Sequence, residues 1–135
     1  MKIKNRERLR KKIGRLPGAV RKELMAALVA SGREINDLQR RFVPRDDGEL
    51  AGTIDMIEKP EDLKVVLVAG GPETTRPVRE GADAEYDYAF AQEFGTQEMP
   101  ANPFFFPGYR LGKKRAKSRV SRAITKAAKR VAGVA

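Results

Sequence analysis

Apolar residues recur at helical spacing through the first third of the chain. They are three or four residues apart, with Ser31 at the one polar position of the series, and they are Leu9, Ile13, Leu16, Val20, Leu24, Leu28, Ile35, Leu38 and Phe42. Such spacing is typical of an amphipathic α-helix. Because proline is tolerated best in the first turn, the main helix is predicted from Pro17 to Arg41, after a frayed basic segment.

Two short apolar runs follow this helix and predict an antiparallel hairpin. In the first, from Leu50 to Ile57, Ile54 and Met56 share one face of a strand. The second, from Leu63 to Ala69, is apolar on both faces, which is typical of a central strand buried on two sides. The proline-containing segment 59–62 between them predicts a turn.

The pattern becomes helical again after a polar segment. Residues 73–83 contain proline and glycine among mostly polar neighbours, which predicts an exposed loop with a short strand around residues 76–79. Tyr86, Phe90 and Phe94 then follow at intervals of four residues and predict a short helix, with Gly95 placed to end it.

A basic amphipathic helix is predicted at the end of the chain. Its narrow apolar stripe consists of Ala116, Val120, Ile124, Ala127 and Val131. The predicted fold class is therefore α+β: a long N-terminal helix, a small antiparallel β-sheet, a short helix and a basic C-terminal helix. At 135 residues the chain is predicted to form a single domain over residues 1–135.

Charge is distributed unevenly along this predicted domain. The net charge is +9 over residues 1–22, −9 over residues 23–109 and +10 over residues 110–135. We therefore expect an acidic body with basic extensions at residues 1–16 and 112–135, which meet phosphates or acidic protein surfaces.

The residue types that are missing narrow the chemistry. The chain has no His and no Cys, which excludes the common nucleophile-and-base arrangements, disulfides and thiolate or histidine metal sites. We therefore expect no enzyme, no catalytic residues, no metal and no cofactor. Asp83, Glu85 and Asp87 alternate and are interpreted as a solvated acidic loop, with a magnesium-dependent nuclease as the weakest alternative. No apolar run has the length of a membrane span or of a signal peptide, so we expect cytoplasmic synthesis and no membrane partner.

The basic residues of the last helix are candidates for contact with DNA or with a partner protein. They are Lys113, Lys114, Lys117, Arg122, Lys126, Lys129 and Arg130. A row of cations gains affinity for nucleic-acid phosphates by releasing counterions, whereas the simpler interpretation is a solvated face whose apolar stripe docks on a neighbour. Both interpretations remain open. Aromatic residues do not alternate with the cations, which argues against stacking on bases.

The densest motif is YAFAQEFGT followed by MPANPFFFPGYR, over residues 88–96 and 99–110. Three prolines between residues 99 and 107 exclude regular structure throughout that segment. Three consecutive phenylalanines cannot all point the same way, so we expect Phe104 to Phe106 to fill the core with part of their rings and to offer another to a partner.

These motifs resemble the signature of the tail-component family of long-tailed bacteriophages and prophages. That signature has YA, then EFGT, then a Pro-Phe-x-x-Pro segment that begins the last helix, and PRDDGELAGTI is similar to the family's approach to its first strand. The matching positions are Gly48, Leu50, Ile54, Tyr88, Ala89, Glu93, Phe94, Gly95, Thr96, Pro103, Phe104 and Pro107.

The resemblance implies a structural virion protein at the head–tail interface, of neck, tail-completion or tail-terminator type. Its implied partners are further copies of the chain in a ring around the DNA channel, with a hexamer favoured and a dodecamer as the alternative. Neighbouring connector and tail proteins and non-specific contact with packaged DNA are implied too. It would be assembled in the bacterial cytoplasm and located in the virion neck or tail. The alternative is a small basic nucleic-acid-binding protein of chromosomal or ribosomal type, which only the charge supports. We expect the loop over residues 73–83 and the segment Phe104 to Phe106 to contact neighbouring subunits.

Overall fold

The longest element of the first half is a helix, α1, over Gly18–Phe42. In the computed structural model, residues 7–8, 11, 15–44, 48–77, 79–81 and 83–131 are described. The prediction of this helix is confirmed to within one residue at each end. Val43 leaves the helical region with φ −69° and ψ 138°, as expected for the residue before Pro44. The predicted frayed basic segment, with Leu9 and Ile13, and most of the extension over residues 1–16 lie outside the described residues.

The face that α1 buries differs from the predicted apolar stripe. Its buried residues are Ala27, Ser31, Gly32, Ile35, Asn36 and Gln39. Leu24, Leu28 and Leu38 are only half-buried, and Phe42 is exposed. The reason is that α1 packs between two elements that approach its backbone closely, which requires small residues. A Cβ on Gly32, for example, would lie 3.0 Å from Met56 Sδ of the hairpin.

The predicted hairpin is confirmed, but its first strand is shorter than expected. A short helix α2 covers Glu49–Gly52, and the strands are β1, Asp55–Lys59, and β2, Lys64–Val68. They pair antiparallel from Asp55 opposite Val68 to Lys59 opposite Lys64, across a 3₁₀ turn over Pro60–Asp62. The prediction that Leu50 begins a strand is wrong, because Gly48 at φ +80° and the hydrogen bond from the Thr53 hydroxyl to Leu50 O form a helical turn.

Strand β2 is not the two-sided central strand that its apolar sequence predicted. Its apolar residues are half-buried, and β1 is the one strand it pairs with in the described part of the chain. One face of the hairpin covers α1, where Val65 Cγ1 and Leu67 Cδ2 approach Gly32. Helix α1 thus covers one of the two faces of β2 that were expected to be buried.

A second, smaller hairpin precedes the short helix. A 3₁₀ turn over Pro72–Thr74 leads into β3, Thr75–Pro77, which pairs antiparallel with β4, Glu85–Asp87. The predicted helix then begins at Tyr88 rather than at Tyr86, as α3, Tyr88–Phe94. Asp87 sets this start, because its carboxylate accepts a hydrogen bond from the Ala89 N–H at 2.9 Å.

The last helix, α4, covers Phe105–Val131 and runs antiparallel to α1. It begins within the proline-framed phenylalanines, so the basic segment predicted as an extension over residues 112–135 is, as far as Val131, continuous with this helix and packed along α1. The predicted α+β architecture is correct, with two small antiparallel sheets instead of one. None of the helices in the described ranges is long and apolar enough to span a membrane.

Candidate assembly interface

The motif residues that are distant in sequence meet in one core. Leu50 and Ile54 come from the first motif, and Ala89 and Phe104 from the second. With Val43 they form the buried cluster where α1, α2, α3 and the start of α4 join, and Phe104 and Ile54 are each 1% exposed. These motif positions are therefore explained by packing.

Glu93 ties α3 to the start of α4. Its Oε2 accepts hydrogen bonds from the Phe104 and Phe105 N–H groups at 2.8 and 2.9 Å, and its Oε1 accepts one from the Phe106 N–H at 3.0 Å. The side chain is 8% exposed. A carboxylate at a helix N-terminus also interacts favourably with the helix dipole. Glu93 is thus the cap of α4, provided from a different helix.

The other donors of this helix start are accounted for as well. The first N–H groups of a helix have no intrahelical acceptor, and Pro107 in the first turn has no N–H to satisfy. The next donor, the Gly108 N–H, reaches Phe104 O at 3.3 Å. On the carbonyl side, the buried Gln39 of α1 donates from Nε2 to Phe105 O at 3.0 Å. The Pro-Phe-x-x-Pro motif therefore provides a helix start with no orphan donor in its first turn.

Gly95 and Thr96 shape the loop that joins α3 to α4. Gly95 has φ +77°, and a Cβ there would lie 2.8 Å from the Ala101 N, so glycine is required. The Thr96 hydroxyl accepts hydrogen bonds from the Glu98 and Met99 N–H groups at 3.3 and 3.0 Å. These two residues return the chain towards the carboxylate of Glu93.

The remaining motif positions are structural or exposed. Gly48 has φ +80° at the start of α2. Tyr88 is half-buried against the core, with the Arg76 guanidinium 5.8 Å from its ring centroid. Arg76 also forms an ion pair with Glu49, which attaches strand β3 of the second hairpin to α2. Pro103 is exposed before the start of α4.

Among the large apolar side chains at the matching positions, Phe94 is the one that the fold leaves more than half exposed. It is 56% exposed, next to Phe90 at 66% and Phe106 at 44%. The ring centroids of Phe90 and Phe94 are 4.6 Å apart, and those of Phe94 and Phe106 are 6.1 Å apart. We call these three rings the aromatic patch. The prediction that the phenylalanine triplet divides is confirmed, because Phe104 is in the core and Phe106 faces outwards.

The aromatic patch borders a groove of about 350 Å³. Leu67 and Val68 of β2, and Ala69 directly after it, also line this groove. Contiguous apolar surface of this kind, beside a strand with an unpaired edge in the described structure, is typical of a protein–protein interaction site.

Two carboxylates of α1 hold one side of the basic helix α4. Glu34 pairs with Arg115 at 3.0 Å and with Arg119 at 2.7 Å, and Glu23 pairs with Arg130 at 3.1 Å and Lys126 at 3.7 Å. The hydrogen bond from Arg119, with the positive charges of Arg115 and Arg119, lowers the pKa of Glu34 below its ordinary value of 4.5, against an opposing effect of burial.

Sequence reasoning missed these pairs, although a signal was present. Glu23 and Glu34 are eleven residues apart, and so are Arg119 and Arg130 on the antiparallel helix. Eleven residues are close to three helical turns, so carboxylates and cations with this spacing face each other along two packed helices.

Five of the seven predicted basic site residues are exposed and form no ion pair with a described residue. They are Lys113, Lys114, Lys117, Arg122 and Lys129. The other two, Lys126 and Arg130, contact Glu23. The predicted apolar seam of α4 is partly wrong, because Ile124 is 51% exposed while Ala127 is buried. Gly108 and Gly112, which the seam omitted, lie against Gln39 and Ile35 of α1, and the side chain of Val131 lies outside the described residues.

The alternating carboxylates do not form a metal site in the described part of the chain. No group of three potential ligands comes together there. Asp87 is occupied structurally, since it accepts hydrogen bonds from the Thr74 hydroxyl at 2.5 Å, the Ala89 N–H at 2.9 Å and the Gly71 N–H at 3.2 Å. Asp46 and Asp47, two acidic residues adjacent in sequence, lie outside the described residues.

No protein-family model, no curated protein sequence and no solved structure matches the chain.

Proposed function

We propose that this chain is a structural subunit of the head–tail interface of a long-tailed bacteriophage or prophage, of neck, tail-completion or tail-terminator type. It works as a homo-oligomeric ring around the DNA channel, with a hexamer favoured, and has no catalytic role. The resemblance of its motifs to the tail-component family is the starting point. The exposed aromatic patch is the observation that carries the proposal.

The patch supports assembly because the fold itself does not use these rings. Within EFGT, Glu93 caps α4, Gly95 turns the chain and Thr96 closes the loop, whereas the Phe94 ring faces solvent. A neighbouring copy of the chain that docked on the aromatic patch would bury Phe90 and Phe94 together. Burial of an exposed phenylalanine contributes about 1.5 kcal/mol, so the pair contributes about 3 kcal/mol to each subunit contact.

A ring also suits the two different surfaces of this subunit. The aromatic patch lies at the start of α4, and the exposed cations follow the rest of that helix. A ring needs a heterologous contact, in which one surface of a subunit meets a different surface of the next. The patch then provides one side of that contact while the basic helix remains available to face the channel.

The test is the oligomeric state of the purified full chain by native mass spectrometry and light scattering. We expect a closed hexamer, or a dodecamer, for the wild type. Phe90→Ser/Phe94→Ser removes about 3 kcal/mol per contact and should raise the dissociation constant roughly 100-fold, which shifts the population to monomer.

The matched control is Ile124→Ser, which removes an exposed apolar side chain about 27 Å along α4 from Phe106. It should leave the ring intact. Circular dichroism and thermal unfolding should show that both variants fold. A wild type that is monomeric at every concentration would refute the proposal, and so would a ring that tolerates the double substitution.

A further inference from the structure

The ten cations of α4 divide into groups with different surroundings. The inner group, Arg115, Arg119, Lys126 and Arg130, contacts Glu23 and Glu34 of α1. The outer basic face is exposed and forms no ion pair with any residue in the described ranges; it consists of Arg110, Lys114, Lys117, Arg122 and Lys129. The tenth cation, Lys113, belongs to neither group and, with Tyr109, lines a separate groove between α1 and α4.

Helical geometry separates the two groups around the axis. At 3.6 residues per turn the inner group falls within an arc of about 60°, and the outer basic face within an arc of about 140° centred roughly 120° away. Arg122, at one edge of the outer basic face, lies about 20° from Arg115 of the inner group. The two carboxylates of α1 therefore contact only the inner group, where they offset two of the four positive charges. From Arg110 to Lys129 the outer basic face extends for about 28 Å along the helix.

Neighbouring cations on the outer basic face repel one another. Arg110 and Lys114 are four residues apart, and Lys114 and Lys117 are three apart, which are the spacings at which like charges destabilise a helix. All residues from Met99 to Ala135 lack a carboxylate side chain. An anion that binds along this face would relieve the repulsion.

The other side chains on this face indicate which anion. The other residues on this face are Leu111, Ser118, Ser121, Thr125 and Ala128. The three hydroxyl residues are exposed, and the Thr125 hydroxyl already donates to Ser121 O at 3.0 Å. A protein partner would require an apolar core to its contact, for which this face offers one large side chain, Leu111, which is 60% exposed. Phosphate oxygens need only cations and hydrogen-bond donors such as hydroxyls.

We infer that the outer basic face binds the phosphate backbone of duplex DNA without reading its sequence. The inference deepens the proposed function, since the ring is proposed to surround DNA, and it assigns the contact to one face of α4. Lys126 and Arg130, which were candidates on sequence grounds, are excluded from it because Glu23 holds them. No aromatic ring lies on this face, so base stacking plays no part.

The test is a titration of the full chain with duplexes of unrelated sequence across a series of salt concentrations. Each phosphate contact contributes about 0.9 to the slope of log affinity against log salt. Lys114→Gln/Lys117→Gln should therefore reduce the slope by about 2 and weaken binding roughly 60-fold at about 0.1 M salt. Duplexes of different sequence should bind equally.

The matched control is Lys126→Gln/Arg130→Gln, which removes the same charge from the same helix. Because these two cations lie on the flank next to Glu23, roughly 110° and 150° around the helix from the centre of the outer basic face, they should make no phosphate contact, and affinity should change by less than about 3-fold. Equal losses in the two variants would show a net-charge effect and overturn the inference. Absence of duplex binding by the wild type would overturn it, as would equally tight binding of polyglutamate that depends on Lys114 and Lys117.

Repeating the titration on Phe90→Ser/Phe94→Ser separates the two proposals. In this background Lys114→Gln/Lys117→Gln and Lys126→Gln/Arg130→Gln are compared again. If the protein is monomeric and the first pair still weakens DNA binding more than the second, the outer basic face acts without the ring. If the wild type forms no ring but the difference persists, the proposed function fails and the inference stands.

Discussion

At the scale of single residues, Glu93 accepts the hydrogen bonds on which the start of α4 depends. Three consecutive N–H groups, of Phe104, Phe105 and Phe106, share its two carboxylate oxygens. Hydrogen bonds to a charged group are stronger than neutral ones, and buried donors without an acceptor are costly. The position of the aromatic patch depends on this side chain, because Phe94 and Phe106 lie on the two elements that it joins.

Glu93→Ala should lower the free energy of unfolding by about 3 kcal/mol, since buried N–H groups lose their acceptor. Glu93→Gln keeps one carbonyl oxygen and should cost about half as much. Urea denaturation followed by circular dichroism measures both. Glu98→Ala, at an exposed carboxylate in the following loop, is the control and should change stability by less than about 0.5 kcal/mol. Equal stability of the Glu93 and Glu98 variants would contradict the assigned role.

The sequence identified Glu93 as a motif position but did not reveal what it does. Local capping rules search for Ser, Thr, Asp or Asn next to the first helical residue, and the residue before Phe105 is Phe104. Here the cap comes from α3, eleven residues before Phe104. The contact depends on Gly95 and Thr96, which turn the loop back towards α3. A local sequence pattern does not predict a cap that lies eleven residues away along the chain.

At the scale of elements, the sequence predicted helices better than the surfaces that they bury. Periodicity located α1 to within a residue, because a long amphipathic pattern has a clear period. It was wrong about part of the buried face: Ser31 and Ile35 are buried as predicted, but Gly32 and Gln39 are buried while the leucines are half-buried. Close packing requires a small residue at Gly32, and Gln39 donates a hydrogen bond to Phe105 O, and hydrophobicity alone predicts neither.

The contact between α1 and α4 at Gly108 provides a direct test of this close approach. A Cβ there would lie 2.8 Å from the Gln39 N and 2.9 Å from its Cα, and backbone atoms cannot move away as a side chain can. Alanine gains about 1 kcal/mol of helix propensity over glycine, but overpacking costs about 3 kcal/mol. Gly108→Ala should therefore lower the free energy of unfolding by about 2 kcal/mol, measured by chemical denaturation.

Alanine substitutions at two other glycines are the controls for Gly108→Ala. A Cβ on Gly112 would meet side-chain atoms only, with Ile35 Cγ1 at 2.6 Å, rather than backbone atoms, so Gly112→Ala should be less damaging than Gly108→Ala. Gly18, at the start of α1, has no atom within 4 Å of that position, and Gly18→Ala should be neutral or stabilising by about 0.5 kcal/mol. A stabilising Gly108→Ala would mean that the two helices do not approach as described.

At the scale of the whole molecule, antiparallel packing rearranges the charges that the sequence separates. The segments with +9 and +10 are at opposite ends of the chain, but Glu23 and Arg130 bring Lys22 and Lys129 to the same end of the helix pair. The acidic body thus holds the basic helix through two carboxylates. Sequence counting showed the asymmetry but not which cations the body neutralises, because that depends on the register of α1 against α4.

The stability of this arrangement should depend on pH through Glu34. Its folded-state pKa lies below the ordinary value, so the carboxylate stabilises the fold above that value, and the stabilisation is lost as the pH falls through the folded pKa. Thermal unfolding should show a lower melting temperature for Glu34→Gln than for the wild type at neutral pH. The difference should diminish below pH 4.5 and vanish once Glu34 is protonated in the folded protein.

Glu58→Gln separates this local effect from the general response to acid. Glu58 is exposed on β1 and forms no ion pair with a residue in the described ranges, so its substitution makes the same charge change without breaking the contact to α4. Its melting temperature should follow that of the wild type over the whole pH range. If both variants instead differed from the wild type by the same amount, net charge rather than the Glu34 contacts would govern how firmly the basic helix is held. The division of α4 into a flank held by the carboxylates of α1 and an exposed basic face would then lose its physical basis.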